Sequence, residues 1–440
     1  MLPPGPKPLP FVGNLLAFRR DQLGFLGSVQ RTYGDMATIH MGNLPIVLLF
    51  RPEHVRYVLS ENPGNFTIRE IAGPLRQMIG DSLLTIDGDA HRQQRRLVQP
   101  IFYNKRIERY SQVMVQYTQE MLERWKASEE LDMSGAMQEL TLRIVAKCLF
   151  DVDLIGQIDE LVQTFTAMFG YPLGFLEAFF NIRIDRPFTA YGKRMTARRK
   201  VDAFIYELIT QRRTEESDTG DLLSMLFAAQ EGGGKLTDTQ LRDHLMTFLA
   251  AGHGTTANAL TWTFYLLSEY PEAREKLLTE LHTVLAGRMP TVNDMTNLPH
   301  LEWVLNESLR LYPPVWRLMR RAAGAFALDG ARFPAGTTVI LCQWIIHRLP
   351  EIWEYPDSFR PERWDPANNQ KIAQWAYFPF GGGPRICIGM PFAFLEAKLV
   401  LATILQHYTP LTAPGYRVEL SPLITLSPKN GLRMTVAPSV

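Results

Sequence analysis

Cys387 is the residue whose surroundings say most about chemistry. It lies in F-P-F-G-G-G-P-R-I-C-I-G-M-P-F-A-F-L-E-A-K, residues 378–398, between the glycine run Gly381 to Gly383 and a helix expected to start near Gly389. A cysteine at a helix N-terminus meets the positive end of the backbone dipole and unpaired N–H groups, which favour thiolate. Glycines on both sides let the backbone and a flat cofactor come close. A phosphate loop would need Lys-Ser/Thr after the glycines, and Pro384-Arg385 stand there instead. A zinc site would need further ligands nearby. A buried, inert cysteine is the remaining alternative, and it is the reading for Cys148 and Cys342.

A second unusual stretch is A-G-H-G-T-T, residues 251–256. Two glycines inside a helix each cost about 1 kcal/mol relative to alanine, and the threonines crowd χ1 against the preceding turn. The helix is nonetheless well punctuated. Thr237 with Gln240 makes a capping box, and Pro271 closes the segment. At 1.5 Å per residue it would span roughly 50 Å. Leu245, Met246, Phe248, Leu249, Leu260, Trp262, Phe264 and Leu267 surround it with apolar side chains, so it is expected to be buried on most faces. Gly252 and Gly254 then admit either a packed helix or a small molecule close to the backbone, and the segment alone does not choose.

The elements that must position these residues are mainly helical. The stretch from about 105 to 215 has helical periodicity, MATIHMG and PIVLLF near 36–50 alternate as strands do, and TTVILCQW near 337–344 returns to strand. Breaks are expected at 215–221 and 231–238. The expected organisation is a single mainly α domain over 1–440. Its helical body covers 85–310, with β-rich contributions near 30–60, 320–345 and 410–440 and the cysteine loop at 378–389. The PPGPKPLP start reads as an extended strap.

Composition narrows the function classes. The 46 Lys+Arg against 45 Asp+Glu leave a net charge of +1, which offers no electrostatic case for nucleic acid. No apolar run reaches 18 residues, and the N-terminus lacks signal-peptide features, so neither a membrane anchor nor secretion is expected. Three cysteines are too few and too far apart for a disulfide framework. A reducing cytoplasm is the simplest compartment.

Phe380, Gly383, Arg385, Cys387 and Gly389 match F-x-x-G-x-R-x-C-x-G, so the chain resembles the cytochrome P450 monooxygenases. Glu307-Ser-Leu-Arg310 is similar to that family's E-x-x-R. It lies in the apolar segment HLEWVLNESLRLYPP, where unpaired charges would be costly. The resemblance implies that the Cys387 thiolate is the axial ligand of haem b iron, that Arg385 meets a haem propionate, and that Arg363 joins Glu307 and Arg310 in a structural ion network. D-G-D-A-H-R-Q-Q-R-R-L-V, 87–98, resembles the propionate-binding helix. His91 and Arg95 stand at its two gripping positions on one face, whereas Arg92 and Arg96 read as solvated. Arg321 is the expected further propionate partner, with Arg320 as rival.

By the same resemblance Ala251 and Gly252 give O2 room and the Thr255 hydroxyl bonds to it. The family's usual acid before that threonine is replaced by Gly254. His253 lies about 100° away round the helix and is read as packing. The implied activity is insertion of one oxygen atom from O2 into a hydrophobic substrate by a soluble, bacterial-type monomer. Electrons would come from NAD(P)H through a separate ferredoxin or flavodoxin and its reductase. The basic residues Arg92, Arg96, Lys105, Arg106 and Arg109 are a candidate docking face. A peroxide-driven peroxygenase and a non-catalytic haem sensor remain alternatives. Family position puts Met78, Ile79, Met246, Ala250, Val315 to Met319 and Leu423 to Leu426 in the substrate pocket, with Phe165, Phe169, Phe175, Phe179 and Phe180 in a lid or in plain core.

Overall fold

A computed structural model describes residues 2–102, 104–170, 183–215, 221–231, 236–368 and 372–439, with backbone alone at 104–107, 215 and 229–231. Helices dominate, as the periodicity predicts, and strands cluster near both ends of the sequence. Phe175, Phe179 and Phe180 lie outside the described residues, as do 216–220 and 232–235 of the two expected breaks.

The chain forms two compact units. One comprises Met1–Gly73, Leu309–Phe359 and Asp365–Cys387. Its sheet runs in the order Met36–Met41, Leu44–Leu49, Thr338–Leu341, Leu318–Ala322, Phe66–Thr67. The first two strands form an antiparallel hairpin that turns at Gly42, whose φ of 63° suits a residue without Cβ. Leu44–Leu49 then pairs in parallel with Thr338–Leu341, and Val47 faces Val339. Apolar side chains of both strands are buried, and the first strand packs on the helix Gln22–Tyr33, which Asp21 caps by accepting the Gly24 N–H at 2.9 Å. The proline-rich strap lies along the first strand, where Pro4 O accepts the Thr38 N–H at 3.0 Å.

The other unit comprises Pro74–Ser308, Arg360–Trp364 and Ile388–Val440. Its axis is the helix Asp238–Glu269, capped by the Thr237–Gln240 box as the sequence indicates. The helices Met133–Phe150 and Met390–Leu405 pack against it. A three-stranded sheet, Glu130–Asp132, Arg433–Pro438 and Tyr408–Thr412, completes this unit together with the pair Leu420–Pro422 and Leu426–Pro428. The short strand at Glu130 falls inside a stretch whose periodicity reads as helix. Its pairing with Arg433–Pro438 is non-local, and so leaves no local signal.

The first turns of the long helix bury charge. Arg242 donates to Asp202 at 2.6 Å, to Asp243 at 2.8 Å and to Met78 O at 3.0 Å, while Asp243 accepts the Asp81 N–H at 2.8 Å. His244 beside them is buried with no partner on either ring nitrogen, and burial pushes its pKa down from 6.5 to about 4. The unfolded chain therefore takes up this proton well before the folded one does. Stability falls as pH drops from 6.5 toward 4, by up to ~3 kcal/mol from this group. In His244→Leu the unfolding free energy should depend on pH more shallowly across that window, which urea melts at several pH values measure.

Candidate functional site

In the cysteine loop, Phe378 O accepts the Gly381 N–H at 2.9 Å and Phe380 O accepts the Cys387 N–H at 3.0 Å. The glycines have separate causes. Gly381 and Gly383 hold φ of 71° and 65°, a region that favours glycine. A Cβ on Gly383 would stand 1.7 Å from Leu59 O, and one on Gly382 would stand 2.2 Å from Trp375 Cζ3. Close approach is thus required here by the protein's own backbone and indole. Cys387 follows directly and is exposed, two residues before Gly389, the N-cap of Met390–Leu405. Cys148 and Cys342 are buried and their thiols are pushed upward by burial, that of Cys342 to about 12, so both are inert. Arg385 is half-buried. Among the described residues no group of three His, Cys, Asp or Glu forms a metal cage.

The start of the loop is held by a residue the sequence reading missed. His347 is buried, and its Nε2 accepts the Phe378 N–H at 3.1 Å. Its own carbonyl accepts from Arg310 Nη1 at 2.8 Å. Burial keeps His347 far below its ordinary pKa, so it is neutral with its proton on Nδ1. Arg310 also donates to Pro356 O at 2.6 Å and Ser358 O at 3.1 Å.

Glu307, on the same helix Pro299–Leu311, is fully buried. Oε1 accepts from Arg363 Nε at 2.8 Å and from the Arg360 N–H at 3.0 Å. Oε2 accepts from Trp364 Nε1 at 2.9 Å. The structure thus joins Glu307 and Arg363, and it adds Trp364, which no charge pattern could have flagged.

The middle of the long helix is where burial lapses. Residues 241–249 and 256–264 are buried, whereas 250–252 and 254–255 are half-exposed. The two glycines differ. A Cβ on Gly252 would come within 2.7 Å of Val145 Cγ2, so this glycine is accounted for by helix packing and not by room for a small molecule. A Cβ on Gly254 would meet none of the described residues within 4 Å. Thr255 Oγ1 donates to Ala251 O at 2.7 Å. His253 is packing: its Nδ1 lies 2.6 Å from Leu249 O and its ring 4.8 Å from that of Phe165, itself buried and stacked on Phe169. Glu396, on Met390–Leu405, is completely buried. Burial raises its carboxyl far above the ordinary range, with the Thr256 hydroxyl opposing, so it carries a proton.

On the helix Gly88–Val98, His91 is buried and Arg95 half-buried on one face, while Arg92 and Arg96 are exposed and Arg92 pairs with Asp89. Arg109 is exposed, and the side chains of Lys105 and Arg106 lie outside the described residues. The strand Leu318–Ala322 turns its two arginines to opposite faces. Arg320 is buried and donates to Met319 O at 2.8 Å. Arg321 is partly exposed and pairs with Glu70 at 2.7 Å, so the anion partner expected of Arg321 is already supplied by this surface carboxylate.

The chain matches the family model described as Cytochrome P450 over residues 3–433. It is 34% identical to cyclooctatin synthase of Streptomyces melanosporofaciens over 98% of this chain and 95% of that protein. Cyclooctat-9-en-7-ol 5-monooxygenase of the same organism is also 34% identical, over 93% and 90%. Pentalenene oxygenase of Streptomyces avermitilis is 33% identical over 98% and 96%. Among the described residues no helix is long and apolar enough to cross a membrane.

The buried carboxylate of Glu307 makes a direct prediction. Glu307→Gln leaves the Arg363 guanidinium buried without its counter-charge and should cost ~3–5 kcal/mol in chemical denaturation. Adding Arg363→Met should recover much of that loss, because it removes the orphaned charge.

Proposed function

The chain belongs to the cytochrome P450 family of haem-thiolate monooxygenases, and we propose on that basis that it inserts one oxygen atom from O2 into a hydrophobic, terpene-like molecule. Two relatives are named for oxygenation of cyclooctat-9-en-7-ol and of pentalenene, and the apolar character of Met78, Ile79 and Met246 agrees with such a substrate.

The observation that carries the reading is Cys387. It is an exposed thiol at the mouth of a rigid glycine loop, in a chain whose other cysteines are buried and protonated. These residues fit a thiolate-bound haem b, with Cys387 Sγ as its ligand. Buried His91 and half-buried Arg95 and Arg385 suit its propionates. Arg320 is proposed as the further cation in place of Arg321, because it is buried whereas Arg321 is engaged by Glu70. When bound, the haem supplies the two-electron activation of O2.

The chain's own part is to exclude water and handle protons. Ala251 and Thr255 stand on the half-exposed turn of the long helix, and Thr255 is assigned to receive a hydrogen bond at Oγ1. No acid precedes it. Glu396 holds a proton beside Thr256 and is the internal acid of this turn. Electrons are assigned to a separate ferredoxin or flavodoxin with its reductase, received near the exposed Arg92, Arg96 and Arg109. The vacancy at Gly254 favours one second reading, direct use of peroxide.

A reduced, CO-bound spectrum tests thiolate ligation: the strongly red-shifted Soret band should appear in the native protein and vanish in Cys387→Ser. Its absence from the native protein overturns the reading. Turnover with NAD(P)H and redox partners, compared with turnover on H2O2, separates monooxygenase from peroxygenase. Gly254→Glu meets no clash at its Cβ and should raise product formed per reductant consumed at least about twofold, since a proton donor contributes a 10²–10⁴-fold effect where it acts.

A further inference from the structure

Arg317 is charged, half-buried and without a counter-ion. Its guanidinium lies 4.4 Å from the Trp316 ring centroid and 5.3 Å from that of Phe18, both buried. Among the described residues it makes no hydrogen bond or ion pair. The titratable neighbour that acts on it is Cys342, whose thiol is neutral. Burial pushes the Arg317 pKa down to about 10, which still leaves it charged at neutral pH.

The same unit shows how this protein settles buried arginines elsewhere. Arg310 has three carbonyl acceptors as well as the Trp353 ring. Arg348 lies over Trp344 and has Asp357 at 3.3 Å, Trp344 O at 3.3 Å and Leu311 O. Aromatic contact is therefore accompanied by acceptors in both, and at Arg317 the acceptors are missing. Its nitrogens are not sealed in the core either, since none is among the buried polar atoms without partners. An incoming group can reach them.

We propose that Arg317 recognises a carboxylate carried by an otherwise apolar substrate. The planar fork matches two carboxylate oxygens, and the aromatic rings hold the guanidinium in place before the ligand arrives. The apolar body of the ligand rests on the monooxygenase reading above, whereas the anion site stands on the surroundings of Arg317 alone.

Matched C20 probes test this with the haem-loaded enzyme at pH 7.5: geranylgeranoic acid and geranylgeraniol, with dissociation constants from calorimetry. The native protein should bind the acid at least about tenfold more tightly than the alcohol, the discrimination expected of a charge-assisted contact. Arg317→Gln should remove that preference and leave the alcohol's affinity within about twofold, and Arg317→Lys should retain part of it. Equal affinities of the native protein for acid and alcohol overturn the proposal, whether or not the variants fold. So does an equal loss for both ligands in Arg317→Gln, or no binding of the acid at all. A missing red-shifted CO band would instead defeat the monooxygenase reading, and acid preference in that same protein would leave the Arg317 site standing.

Discussion

Arg310 is completely buried, and its guanidinium needs acceptors that water cannot provide. It takes them from the carbonyls of His347, Pro356 and Ser358, in a segment with little regular secondary structure. One charge thereby fixes a stretch of chain that helix or sheet bonding would leave undefined. The constraint then passes onward. His347 is fixed in one tautomer because Nε2 accepts the Phe378 N–H, and Phe378 begins the turn that ends at Cys387. The position of Cys387 is thus set by a chain of hydrogen bonds that starts at a buried cation.

Much of this was legible in the residues. The capping box at Thr237 gave the helix start to the residue, because capping is local chemistry. The early hairpin followed from alternation, and the cysteine loop from its glycines. What escaped depended on distant partners. Nothing local separates Arg320 from Arg321, since a strand shows one to each face and only the rest of the fold decides which face is covered. Trp364 and His347 join their networks through contacts with residues far away in sequence, and neither carries a charge pattern that periodicity could detect.

The glycine pair of the long helix shows how one motif can serve two unrelated needs. Gly252 is small because Val145 crosses there, whereas Gly254 is small with no described residue beside it. A side chain at 252 would push two packed helices apart, while one at 254 would cost the packing nothing. Thr141 strengthens the crossing by donating to His253 O at 3.1 Å. Rigidity on one side of the helix and open space on the other are what a site needs if a small molecule is to sit against a fixed backbone.

The parallel pairing of Leu44–Leu49 with Thr338–Leu341 has a consequence for biosynthesis. The hairpin leaves the ribosome early, but the strand that covers its second edge is made only after most of the chain. Until then an apolar edge, with its unpaired backbone groups, stands ready to pair with another nascent chain. Such non-local closure is slow in folding terms. Yield in a heterologous host should therefore depend on holding that edge apart, through slower translation, lower temperature or a chaperone that shields it.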